Sequence, residues 1–163
     1  MNNKLKYLIF AILAGLVILF FYNKYRVAPG VDFSKVNLYD MEGKPVQFSS
    51  FKGKKLVVSF SASWCGNCIT ELRALNAIKD KDLPDVEIIV ISDEDLETVQ
   101  QFKEKFAPSY TVLKMDQPFP SLGINAIPVN YIFNTKLENT EQVVGEIDWK
   151  DPSTVERLKK LME

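Results

Sequence analysis

The sequence predicts an α/β fold: a central mixed sheet flanked by helices, opened by an N-terminal β-hairpin and preceded by a single transmembrane helix. Three observations predict it. Apolar runs of strand length alternate with segments whose apolar residues recur at helical spacing. The only two cysteines of the 163 residues, Cys65 and Cys68, fall between one such strand and one such helix. Residues 7–22 form an apolar run without a charge.

That run, Tyr7 to Tyr22, is slightly short of the ~20 residues that span a bilayer as a helix. Leu5 and the stems of Lys4, Lys6 and Lys24 extend it, and Tyr7 and Tyr22 bracket it as interfacial aromatics do. Residues 1–26 are therefore expected to form an uncleaved signal-anchor. A cleaved signal peptide fits the basic start, but Phe20–Tyr25 offers no small-x-small cleavage site. No cysteine adjoins the run to take a lipid, and a buried helix of a soluble protein would be less uniformly apolar. The basic residues on the two sides nearly balance: Lys4, Lys6 and the amino terminus against Lys24 and Arg26. A short tail before a first hydrophobic segment stays in the cytoplasm as a rule. The expected placement is single-pass in the inner membrane, with everything beyond about residue 27 facing the periplasm or exterior.

Residues 27–35, starting with Val27-Ala28-Pro29-Gly30, read as a linker and 36–163 as one globular domain. Apolar content of 47% and charged content of 25% are ordinary for a globular chain. The first 26 residues carry four basic residues and no acid, which leaves 16 basic and 21 acidic residues, net −5, in the remainder. That balance does not point to nucleic acid. With no histidine in the chain, the usual general base near pH 7 and the usual metal ligand are missing.

Along the domain, Val36–Tyr39 and Pro45–Phe48 flank a turn at Asp40–Lys44 and form the hairpin. Leu56-Val57-Val58-Ser59-Phe60 is a buried strand. Ile69, Leu72, Leu75 and Ile78 then mark one helix face, which ends at Leu83-Pro84-Asp85. Val86–Ile91 is a second buried strand, after which Ser92 or Asp93 can cap a helix marked by Leu96, Val99, Phe102 and Phe106. Pro108 stops that helix, and Tyr110–Met115 is a further strand. The loop Gly123–Pro128 enters the strand Val129–Phe133, where a leading proline is tolerated. Gln142–Ile147 pairs back antiparallel, and Asp151-Pro152-Ser153 opens the last helix. Strands alternating with helices imply a βαβ core, and the closing pair adds antiparallel strands.

The cysteines carry the chemistry. Cys65 falls near a helix N-terminus, where unpaired N–H groups and the helix dipole favour an anion. The thiolate is the reactive form, and C-x-x-C pairs at helix starts have a lowered pKa. Cys68, one turn further on, can attack a mixed disulfide formed at Cys65. A purely structural disulfide would close a very small loop and constrain the unfolded chain little. A zinc site needs about four ligands, of which the chain's cysteines supply half. No cofactor is implied, because the sulfur pair itself carries the two electrons.

Trp64-Cys65-Gly66-Asn67-Cys68 on a strand-to-helix turn, followed by Ile127-Pro128 before a later strand, resembles the thioredoxin superfamily. The stretches Tyr39–Lys44 and Phe51–Lys54 are similar to those of its membrane-anchored TlpA/ResA-type thiol–disulfide oxidoreductases. The resemblance implies a thioredoxin-like fold over about residues 31–163, with Cys65 as attacking nucleophile and Cys68 as resolving thiol. It implies a redox-active disulfide between the two. Pro128 matches the family's cis-proline, whose loop, with Ile127, faces the disulfide and receives substrate backbone. Glu71 matches a glutamate beside the active site, and residues 68 and 71 are i, i+3 neighbours. It reads either as a proton relay for Cys68 or as an ordinary solvated helix residue. Trp64 is expected to pack beside the pair and shield it. Four places depart from the pattern: Asn67 replaces a common proline, Ser59 stands where cytoplasmic thioredoxins bury an aspartate, Val129-Asn130 replaces threonine after the cis-proline, and Arg73 replaces a proline.

The leading functional reading is a membrane-tethered reductase of disulfides in exported proteins, with apocytochromes among the substrates and an upstream thiol donor. An oxidase would use the same residues with the opposite poise. A third reading is a metal carrier or thiol sensor that only binds; a copper-delivery relative would want a distal histidine, and the chain has none. A peroxidase lacks the proline-threonine pocket before its cysteine.

Overall fold

The computed structural model describes residues 3–163. The amino terminus and the side chains of Lys24 and Arg26, on which the orientation reading rests, lie outside what is described. The first helix, α1, runs Asn3–Arg26. Its segment Asn3–Tyr22 is long and apolar enough to cross a membrane, and none of it is buried against the rest of the chain. A membrane anchor and a signal sequence both have this length and composition.

Seven strands form one sheet: β1 Leu38–Tyr39, β2 Pro45–Val46, β3 Lys55–Phe60, β4 Val86–Ser92, β5 Thr111–Met115, β6 Val129–Phe133 and β7 Asn139–Val144. Their order is β2-β1-β5-β4-β3-β6-β7. β3, β4 and β5 are parallel, β6 and β7 continue antiparallel on one side, and β1 pairs antiparallel with β5 on the other. The predicted hairpin forms, β1 with β2. It is shorter than expected, because Phe48–Phe51 winds into a 3-10 turn. The returning strand is also shifted: it ends at Val144, and Gly145 takes a positive φ of 94° that turns the chain away from the ladder.

Alternating side chains divide the core into two faces. Val57, Ile88, Val90, Val112 and Ile132 point to a face covered by α2 (Gly66–Asp82), α3 (Leu96–Phe106) and α4 (Pro152–Leu161). Leu56, Val58, Phe60, Ile89, Ile91 and Tyr131 point to the other, which is covered by turns and loops rich in phenylalanine. The apolar stripes predicted for α2 and α3 are turned inward, with Leu72 and Leu75 of α2 and Val99 and Phe102 of α3 buried, and α4 buries Val155 and Leu158.

Two local expectations are corrected. The residue capping α3 is Asp95, whose carboxylate accepts from Thr98 N–H at 2.9 Å. Ser92 and Asp93 are used elsewhere, Asp93 accepting from Phe119 N–H. The segment read as a linker is packed onto the domain. Phe33 is buried and stacks on Phe48 at 4.4 Å between ring centres. Tyr131 Oη donates to the Pro29 carbonyl at 2.7 Å. Gly123, at a φ of 77°, passes close under Pro29, 3.3 Å from where a Cβ would stand.

Candidate active site

The central strand β3 delivers the chain to the site. Ser61 N–H extends the ladder by donating to the Ile91 carbonyl at 2.9 Å, and the chain then rises out of the sheet through Ala62, Ser63 and Trp64. This loop is fastened by Glu94, whose carboxylate accepts from Ser63 N–H and Ser63 Oγ, both at 2.7 Å, and from Ser92 Oγ at 3.1 Å. Cys65 is the N-cap of α2. Its Sγ accepts from Cys68 N–H at 3.1 Å, one of the helix's otherwise unpaired donors. Cys65 and Cys68 are joined as a disulfide. Cys65 is 6% exposed and Cys68 fully buried, so the first sulfur is the one an incoming group reaches.

Across from the pair, the Ile127–Pro128 peptide is cis. The Ile127 side chain packs against Ala62 and both cysteines, and its carbonyl oxygen lies 3.8 Å from Cys65 Sγ. In the disulfide that sulfur has no proton to donate, so this is a contact; a Cys65 thiol has one. Pro128 is buried at the start of β6.

Trp64 departs from its expected role. It is 71% exposed and does not shield the pair. Glu94 holds the loop on the outer lip, and the indole there lines a cleft of about 480 Å³ with Asp93, Phe119, Pro120, Ile124 and Ile127. Ile127, which lines the cleft, also packs against the cluster that holds the two cysteines.

Glu71 is no solvated helix residue. It is 4% exposed, on the same inward face of α2 as Cys68 and Leu72. Its Oε1 accepts from Asn130 Nδ2 at 2.9 Å, from Ile147 N–H at 2.9 Å and from Trp149 Nε1 at 3.2 Å. Its Oε2 accepts from Asn130 Nδ2 at 3.1 Å. Burial pushes the carboxyl up to about 7; the donors Ile147, Asn130 and Trp149 oppose that rise, and the Glu146 charge adds to it. Ser59, at the familiar aspartate position, is buried and bonded to Ser61 Oγ at 3.0 Å. Glu71 stands three residues beyond Cys68 on the buried face of α2.

Three contributors were not singled out from the sequence. Trp149 and Ile147 reach Glu71 from more than seventy residues away, and no local pattern announces such contacts. Glu94 looks like any acid before a helix. Only the unusual Asn130 after the proline stood out beforehand.

A disulfide-bonded C-x-x-C pair at a helix start, with a cis-proline beside it on a thioredoxin-like sheet, is the arrangement of a thiol–disulfide oxidoreductase. Residues 28–121 match the model of the Redoxin family, and the chain belongs to that family. It is 26% identical over 131 residues to the thiol-disulfide oxidoreductase ResA of Bacillus thuringiensis (strain Al Hakam), covering 78% of this chain and 76% of that one. ResA of Bacillus subtilis (strain 168) is also 26% identical, over 129 residues, 77% of this chain and 72% of that one. Among solved structures, dsbF of MTB, in mixed oxidized and reduced forms, superposes with a TM-score of 0.65 at 19% identity, over 82% of this chain and 99% of that one. A secreted Mycobacterium tuberculosis disulfide oxidoreductase homologous to E. coli DsbE gives 0.63 at 19%, over 78% and 96%. These two share the fold.

Proposed function

We propose that this oxidoreductase is a membrane-tethered reductase that passes two electrons from Cys65 and Cys68 to disulfides of exported proteins. The observation that carries the reading is the placement of Cys65. It caps α2, is the more accessible sulfur, and lies beside Ile127 of the cis-proline loop. In the reduced protein the Cys65 thiolate gains from the α2 dipole and the Cys68 N–H. It attacks one sulfur of a substrate disulfide. The Cys65–substrate bond forms, the substrate S–S bond breaks, and the first substrate sulfur leaves as a thiolate that takes a proton from solvent. Cys68 then loses its proton to Glu71 and attacks Cys65 Sγ. That step forms the Cys65–Cys68 disulfide and expels the second substrate thiolate.

Glu71 suits the task because a base held near neutral pH takes and returns a proton readily. The Ile127–Pro128 loop offers backbone to the substrate, and Trp64 with the cleft takes its side chains. An upstream dithiol reduces Cys65–Cys68 again. Residues 1–26 act as the anchor, leaving the domain on the periplasmic or exterior side, and the packing of Phe33 supports a folded unit that starts near residue 28.

The test is trapping. Full-length Cys68→Ser protein in detergent, prereduced and mixed with insulin, is expected to form a mixed disulfide through Cys65, seen as a mass increase. Cys65→Ser is expected to form none. Equal adducts on both variants, or none on either, would remove the assigned roles.

A further inference from the structure

Asn130 is a polar residue in the middle of a buried strand, and it is 1% exposed. A carboxamide there costs stability unless every donor and acceptor is matched. Its Nδ2 reaches both oxygens of Glu71, at 2.9 and 3.1 Å, and the Gly145 carbonyl at 3.3 Å. Gly145 N–H in turn donates to the Pro128 carbonyl at 2.8 Å. The amide therefore links the carboxylate on α2 to the strand that carries the cis-proline and to the turn after β7. The Cα register places Asn130 directly opposite Ser59 on β3. At that position β3 contributes a hydroxyl engaged with Ser61 and no charge.

We propose that Asn130 is a positioning residue for the exchange reaction: by donating to both oxygens of Glu71, it holds the carboxylate in place and sets the pH at which Glu71 exchanges the Cys68 proton. This rests on the relay role given to Glu71 above. A donor to a carboxylate favours its charged form, and its loss moves the ionisation upward. The other charged groups facing Glu71 come from the segment after β7. Glu146, Asp148 and Lys150 line a cavity of about 320 Å³ with Glu71, Thr70 and Ala74. α2 itself contributes Cys68, and Trp149 contributes a neutral donor. Through that cavity Glu71 exchanges protons with solvent on the side away from the cleft.

The experiment compares Asn130→Val and Asn130→Thr, side chains of similar shape that differ by a donor hydroxyl. Both are made in full-length protein in detergent micelles carrying Trp64→Phe, so that Trp149 is the only tryptophan. Its indole bonds directly to Glu71, so its fluorescence against pH reports the carboxyl. A Glu71→Gln control identifies that transition. The second readout is the pH profile of mixed-disulfide resolution by Cys68.

Asn130→Val is expected to raise the fluorescence midpoint by about one pH unit or more, a roughly tenfold fall in the ratio of ionised to protonated Glu71. The resolution profile is expected to move with it, and Asn130→Thr to stay near the parent. An unmoved midpoint in Asn130→Val, or equal shifts in both variants, would overturn the proposal. If Glu71→Gln leaves the resolution profile unchanged, the relay reading fails by itself, and the midpoints still decide whether Asn130 controls the carboxyl.

Discussion

At Glu71, burial and hydrogen bonding act in opposite directions, and burial prevails. A carboxylate moved out of water strongly prefers its proton, yet three donors converge on this one, so it titrates near 7 rather than at its ordinary 4.5. Glu71→Gln should therefore lower the rate of the Cys68 step about 100- to 10,000-fold near pH 7, the range of one positioned acid–base group. The same change should remove an inflection near pH 7, while the first attack by Cys65 stays within a few-fold. Stopped-flow tryptophan fluorescence on mixed disulfides separates the two steps. The cysteines and the cis-proline were legible in the sequence because short-range spacing places them. The Glu71 position was legible, but its environment was not, since its donors come from β6 and the segment before α4. The exposure of Trp64 was missed because an aromatic before a buried pair reads as cover, and its direction is set by the distant Glu94.

Two elements determine the precision of the site. Helix α2 carries Cys68 and Glu71 on the face that Leu72 and Leu75 bury. Leu72→Ala should cost about 2–5 kcal/mol through lost burial and a cavity. The thermal midpoint should fall while the Cys65 and Cys68 roles remain. The β4–α3 connection fastens the two sides of the cleft, Glu94 to Ser63 and Asp93 to Phe119. Glu94→Ala leaves Ser63 N–H and Oγ without their acceptor, at a cost of about 1–3 kcal/mol. It should raise KM for a protein disulfide more than it lowers kcat, measured by turbidimetric insulin reduction. The helices and strands themselves were readable from periodicity. What was not readable was the packing of α2, α3 and α4 on one face, leaving the other to Phe33, Phe48 and Phe51. A 3-10 turn has no amphipathic repeat to announce it, and a segment such as 27–35 reads as a linker until its phenylalanine is seen in the core.

For the whole molecule, the raised Glu71 ionisation links stability to pH. The folded chain holds a proton that the unfolded chain releases at lower pH. The contribution is fully present below about pH 4.5 and is lost as pH rises through about 7. The shift corresponds to roughly 3 kcal/mol. Thermal midpoints of the full-length protein in detergent should fall over that window, and Glu71→Gln should flatten the fall. The anchor gives a prediction at the same scale. Deleting residues 1–26 should move the protein from the membrane fraction to the soluble fraction, and protease added outside spheroplasts should digest the domain of the intact chain. Cleavage of the wild-type chain after residue 22 would instead identify a signal peptide.

The central claim is electron donation by Cys65 and Cys68, and the equilibrium potential of that pair tests it most directly. The measurement is titration of the full-length protein in detergent against thiol–disulfide buffers, with the free thiols read by mass after alkylation. The account predicts reversible formation of the Cys65–Cys68 disulfide with a potential below about −250 mV, toward the thioredoxin end of the scale. A potential near about −120 mV would make the protein an oxidant and contradict the direction proposed here.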